Sequence, residues 1–269
     1  MLKLSWVATS AIACMLALAL EVIAFAGWYR PRMPGVAPSV QAEVEKASHT
    51  TPAMVEGNTT VAAADESASA NHQDGYYAQL RAKVRWVETR IGTDKLLTPD
   101  DSSRVLLAKS AAERARLHDV GLSFKDVYGI INAETSWIPR VGSSKNGTPN
   151  LGLAQFEPAT ARALGLRDPN DAVEAIHVAA LHMKEAAGWS ANRIAGLKLG
   201  DGERALKLRE GVSIFYNLST KGRNRWDGTN TTKLPIETQL HIRNARTGAQ
   251  FAGELDARQA SSGFMLTGG

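Results

Sequence analysis

Large apolar side chains are segregated along this chain, and the segregation limits what it can fold into. Residues 4–28 form a dense apolar block, residues 33–74 hold few large apolar side chains, and residues 75–269 return to a mixed pattern. The first segment is long enough to cross a hydrocarbon core as a helix. The second cannot bury enough apolar surface to offset its ordering entropy. The third is long enough to build one core of its own. The expected organisation is a signal-anchor or signal peptide over 1–29, a disordered linker over 30–74 and a folded domain over 75–269.

Trp28 and Tyr29 beside Arg30 and Arg32 suit the interface end of a membrane helix, with Glu21 as a cost in its final third. Ala24-Phe25-Ala26 also forms a small-x-small site, so cleavage after Ala26 competes with a retained anchor. Lys3 opposes the two arginines, and flanking charge therefore leaves orientation open. The single cysteine, Cys14, lies in the apolar block, which leaves no disulfide framework and no cysteine zinc site within one chain. Residues 1–74 carry four basic and seven acidic side chains, or −3, and the remainder carries +7 of the total +4. A basic domain is drawn to an anionic polymer or surface. No long Lys/Arg run and no basic stripe interleaved with aromatics is present, so nucleic acid is not an expected partner.

The domain reads as all-α. Tyr77, Leu80, Val84 and Val87 repeat at helical spacing, and Thr98-Pro99-Asp100-Asp101 resembles a cap and first turn leading through Leu106, Leu107 and Leu117. Ser123 with Asp126 opens another helix, Asn170-Asp171 a third with a stop at Gly188, Asp201 a fourth, and Ile236–Phe251 a last one. Alternating β patterns are nearly absent. His118, His177, His182 and His241 are scattered over these helices and read as structural or surface residues, with no metal or cofactor called for.

One residue is out of keeping with its face. Phe124, Val127, Tyr128, Ile130 and Ile131 define the apolar side of the helix opened by Ser123, and Glu134 follows Val127, Ile130 and Ile131 by seven, four and three. That spacing turns its carboxylate towards the core, next to Trp137. Desolvation disfavours an ionised carboxyl, and a carboxylic acid kept protonated is what a general acid requires. Periodicity alone leaves the plainer alternative open, a solvated acid in a fraying last turn.

Four segments in order carry a resemblance. Glu134-Thr135-Ser136-Trp137, Gly152-Leu153-Ala154-Gln155-Phe156-Glu157-Pro158-Ala159-Thr160-Ala161, Phe215-Tyr216-Asn217 and Leu234-Pro235-Ile236-Glu237-Thr238 are similar to the signatures of the soluble-type (SLT) lytic transglycosylases of glycoside hydrolase family 23. The resemblance spans about residues 120–245. It implies a lysozyme-like helical fold, peptidoglycan glycan strands as substrate, no cofactor, and Glu134 as catalytic acid and base. It further implies that Thr135, Gly152, Leu153, Gln155, Tyr216 and Asn217 line the glycan cleft or brace the glutamate. Tyr216 would hydrogen-bond Glu134. Gly152 would let backbone approach the sugar, and Trp137, Phe156, Trp189 and Trp226 are candidate stacking platforms. The domain would face the periplasm, held at the inner membrane by the N-terminal helix or released if that helix is cleaved. General wall turnover and service to a wall-spanning secretion or conjugation machine both fit.

The chain departs from the pattern at Thr135, where the family has Ser, at Ala154, where it has Met, and at Leu218-Ser219, where small residues are usual. Glu157 is an extra carboxylate that would activate water if it reached the far face of the sugar, making a hydrolytic muramidase. Otherwise it is a solvated helix start. A non-catalytic peptidoglycan-binding module of the same fold is the remaining alternative.

Overall fold

A computed structural model of the protein describes residues 73–144 and 147–266. The expected membrane segment and nearly all of the expected linker lie outside the described residues. Among those described, no helix is long and apolar enough to cross a membrane.

Helix dominates, as the apolar periodicity requires, but the chain is not free of strand. Helix α1 spans 73–83, buries Tyr77 and Leu80, and ends before Val84. Val87 lies in a strand instead. Trp86–Ile91 (β1) and Asp94–Pro99 (β2) form an antiparallel hairpin turned at Gly92, whose φ of +60° suits glycine. The alternation that marks a half-buried strand is weak here, because Trp86, Val87, Ile91 and Leu97 are all exposed. Thr98-Pro99 is therefore the end of β2, and the cap of helix α2 (Asp101–Arg114) is Asp100, which accepts from the Ser103 amide at 2.8 Å. Leu117 falls beyond α2, in a short 3₁₀ turn, Leu117–Val120.

Helix α3 (Phe124–Thr135) opens on a capping box: Asp126 accepts from the Ser123 amide at 2.8 Å while the Ser123 hydroxyl accepts from the Lys125 amide. Arg209 closes the other Asp126 oxygen at 2.7 Å. A two-residue ladder follows, Gly142–Ser143 (β3) with Pro149–Asn150 (β4), then the short α4 (Pro158–Ala163). Helix α5 (Ala172–Ile194) is capped by Asp171 and runs through Gly188, which is exposed and meets no neighbour. A mid-helix glycine costs about 1 kcal/mol, too little to end a helix whose other face is buried over most of its length. Helices α6 (Asp201–Asn217), α7 (Thr220–Arg223) and α8 (Ile236–Leu266) complete the domain.

Helix α3 is the central element, packed against α2, α5 and α8. Its seam with α8 is unusually close. A Cβ at Gly129 would strike the Ala245 carbonyl, and one at Gly248 would press on the Asn132 side chain. The two helices run antiparallel there, so the C-terminal end of α3 meets the first turns of α8. That approach positions the site.

Candidate active site

The last turn of α3 presents Glu134. Val127, Ile130 and Ile131 are buried as their spacing requires, and the Glu134 side chain stands at the rim of that core, 16% exposed. The helix stops immediately afterwards: Ser136 and Trp137 both adopt left-handed backbone, φ +53° and +64°. Such conformations are costly for non-glycine residues and concentrate at functional sites. Four non-glycine residues among those described have positive φ, and three of them, Ser136, Trp137 and Gln155, belong to this region. Trp137 is fully buried against Tyr128, with ring centroids 4.8 Å apart, and its carbonyl accepts from the Thr98 hydroxyl at 2.6 Å. The hairpin thus pins the turn that ends the helix.

The carboxylate meets a residue that sequence reasoning assigned elsewhere. Nε2 of His241, on α8, lies 2.8 Å from Glu134 Oε1, and the imidazole is 5% exposed. The signal was faint. Thr238, His241, Ile242, Ala245, Gly248, Ala252 and Leu255 form the buried stripe of α8, and His241 is a polar interruption in it. Nδ1 of the same ring is buried with no hydrogen-bond partner among the described residues.

The remaining expected site residues surround this pair, mostly as supports. Thr135 is fully buried, and its hydroxyl lies 3.0 Å from the Leu153 carbonyl. Leu153 and Ala154 are core residues, so neither Thr135 nor Leu153 presents a surface to a ligand. Gly152 has φ +72°, and a Cβ there would strike the Pro169 carbonyl. The glycine is required by backbone packing rather than by approach of a sugar. Gln155 donates its amide to the carbonyls of Arg140, at 2.9 Å, and Gly152, at 2.8 Å, while Arg140 Nη2 donates to the Glu134 carbonyl at 2.7 Å. Gln155 therefore braces the glutamate through Arg140.

Tyr216 does not bond Glu134. Its hydroxyl donates to the Ala154 carbonyl at 3.3 Å, and burial together with the nearby Glu134 charge pushes the phenol well above its ordinary range. It stays a protonated donor. Phe156 and His182 flank the Tyr216 ring at 6.0 and 5.5 Å, and burial lowers the His182 pKa. Asn217 is exposed, and its Oδ1 accepts from the buried Thr238 hydroxyl at 2.8 Å.

The four segments 134–137, 152–161, 215–217 and 234–238 thus close into a ring. Thr135 joins the first to the second, Tyr216 the second to the third, Asn217 the third to the fourth, and the helix that starts in the fourth returns to Glu134 through His241.

Glu157 is half-buried and bonded to the Ser144 hydroxyl, which also reaches Asn150 Oδ1 at 3.2 Å. It ties Ser144, and with it Asn150, to the start of α4. Trp137, Phe156 and Trp226 are buried and offer no sugar platform, and Trp189 is half-buried against Trp226. Two surface cavities, of about 740 and 370 Å³, flank the hairpin and the Ser123 end of the α3–α6–α8 groove, and Glu134 lines neither. The chemistry available at the rim is that of one carboxyl group able to give and take a proton, with one oxygen held by an imidazole. Comparison with protein-family models, curated proteins and solved structures found no match for this chain.

Proposed function

We propose that the chain is a peptidoglycan lytic transglycosylase with a lysozyme-like domain, cleaving the β-1,4 bond between N-acetylmuramic acid and N-acetylglucosamine. The observation that carries this reading is the closed ring of hydrogen bonds. Segments up to about 100 residues apart, selected by a resemblance in sequence alone, interlock around one glutamate.

In the reaction, Glu134 gives its proton to the glucosamine O4 as the C1–O4 bond breaks and its electron pair goes to that oxygen. The electron-poor muramic C1 is held by the carbonyl oxygen of its own N-acetyl group, an accepted exception to the two-carboxylate scheme. The ionised Glu134 then takes the proton of the muramic C6 hydroxyl, whose oxygen bonds C1 and displaces the acetamido oxygen. Glu134 ends protonated, no water is consumed, and the product carries a 1,6-anhydro ring. One carboxyl suffices because both nucleophiles come from the substrate. The binding of Glu157 by Ser144 favours this over water activation from the far face. The +7 charge of residues 75–269 suits the carboxylates of peptide stems. Residues 1–29 would anchor or export the domain to the periplasm, with the linker spanning to the wall.

Digestion of purified sacculi with the full-length chain, read by mass spectrometry of the released muropeptides, tests the proposal. Anhydro-muramyl ends that vanish with Glu134→Gln are expected. Reducing ends would make the enzyme a muramidase, and binding without products would make it a wall-binding module.

A further inference from the structure

We propose that His241 is the positioning residue of Glu134: its Nε2–H donates to Oε1 and leaves Oε2 as the oxygen that exchanges protons with the glycan. This rests on the glycan-cleaving reading above.

The tautomer follows from the surroundings of the ring. Nε2 faces a carboxylate oxygen at 2.8 Å, whereas Nδ1 is buried without a partner. A proton on Nε2 has a carboxylate oxygen to donate to, whereas one on Nδ1 has no acceptor among the described residues. The ring proton therefore belongs on Nε2. Among the described residues, Tyr216 donates to the Ala154 carbonyl, Thr135 to the Leu153 carbonyl, and Arg140 Nη2 to the main-chain carbonyl of Glu134 itself.

The helix that carries the ring is also fixed against its neighbours. Thr238, one turn earlier on α8, is tied to Asn217, and Asn132 Nδ2 reaches the Asn244 carbonyl at 3.3 Å. Gly129 lets the Ala245 carbonyl approach α3 directly. Glu134 and His241 are 107 residues apart in sequence, and this seam makes their contact reproducible. Through the cycle His241 neither gains nor loses a proton. Its bond to Oε1 becomes charge-assisted when Glu134 gives up its proton, and weakens again when the proton returns. The interaction is therefore strongest as charge develops, the condition under which a fixed donor speeds a reaction rather than merely binding substrate.

The test compares kcat and KM on soluble glycan strands for the full-length wild type, His241→Leu, His241→Asn and His241→Gln. The Gln amide nitrogen reaches the position of imidazole Nε2, and the Asn amide falls short near Nδ1. The Leu and Asn variants should lose about 10²-fold in kcat, the order expected for a misplaced catalytic group, with KM within about threefold. Gln should stay within about tenfold of wild type, because a donor to Oε1 is restored. A Leu variant as fast as wild type, or a folded Gln variant as slow as Leu, overturns the proposal. Long-range ¹H–¹⁵N spectra of the wild type give a reading that needs no substitution at His241. They should show the Nε2–H tautomer, shifted by Glu134→Gln, and an Nδ1–H tautomer overturns the proposal. A wild type that releases no anhydro product overturns the glycan reading and the catalytic part of this one together. An active wild type beside an equally active Leu variant overturns this one alone.

Discussion

Two buried histidines on long helices show how differently the same side chain is used in this domain. His177 on α5 is satisfied on both sides. Nδ1 donates to the Val173 carbonyl at 2.7 Å, and Nε2 accepts from Ser110, 2.9 Å away, which in turn bonds Tyr76 of α1. Tyr77 packs on the ring at 4.8 Å. His241 on α8 has one nitrogen on a carboxylate at the rim of the core and the other with no partner among the described residues. A fully satisfied buried network specifies and rigidifies a fold. A half-satisfied one beside a partly exposed acid is a cost that the fold itself does not need. The first histidine clamps α1 to the domain, and the second stands beside the candidate acid at the α3–α8 seam.

The comparison can be broken or sharpened by stability first. Burial lowers the His177 pKa from its ordinary 6.5 to about 4. Between those values the unfolded chain binds the proton and the folded chain does not, so stability falls as pH drops through the window and levels off below it. The full loss is about 3 kcal/mol, and denaturant titrations from pH 7 to pH 4 should show it. His177→Gln should flatten that slope, and a slope unchanged by this substitution would mean that another group carries it.

Gly129→Ala comes next. The added methyl meets the Ala245 carbonyl, so α3 and α8 must part, at a cost of about 2 kcal/mol as in other overpacked cores. Glycan cleavage should fall further in this variant than in His177→Gln compared at equal folded fraction, because the seam also sets the Glu134–His241 contact. Equal rates would detach the site from the seam. Removing the cap of α3 with Ser123→Ala should cost about 1 kcal/mol by chemical denaturation, with little change in rate per folded molecule. Leu97→Lys, on the exposed hairpin, should shift stability by no more than about 0.5 kcal/mol.

These regions also differ in how far they could be read from sequence. The start and the buried face of helix α3 were legible, because a capping box, an apolar face and Glu134 all lie within a few turns of one another, whereas its stop at Thr135 was not. The hairpin was not, since its strands expose apolar residues and give no clean alternation, and Thr98-Pro99 imitates a helix start that Asp100 in fact supplies. Gly188 imitates a helix stop for a similar reason: local preference is weak where tertiary burial continues. At the site, the residue types were legible but their tasks were not. Thr135, Leu153 and Gly152 act behind the surface, where backbone carbonyls that no side-chain pattern encodes set the constraint. The role of His241 is not encoded locally, because its partner lies 107 residues away and the contact depends on glycine-permitted approach of two backbones.

The most direct measurement sets Glu134→Gln beside His177→Gln in the full-length chain, reading thermal midpoint and the rate of anhydro-muropeptide release from sacculi. The account predicts that Glu134→Gln melts near wild type and loses at least about 10³-fold in rate, while His177→Gln melts lower and retains its rate per folded molecule. A Glu134→Gln chain that still releases anhydro ends at the wild-type rate would contradict the assignment of that carboxylate as the acid and base.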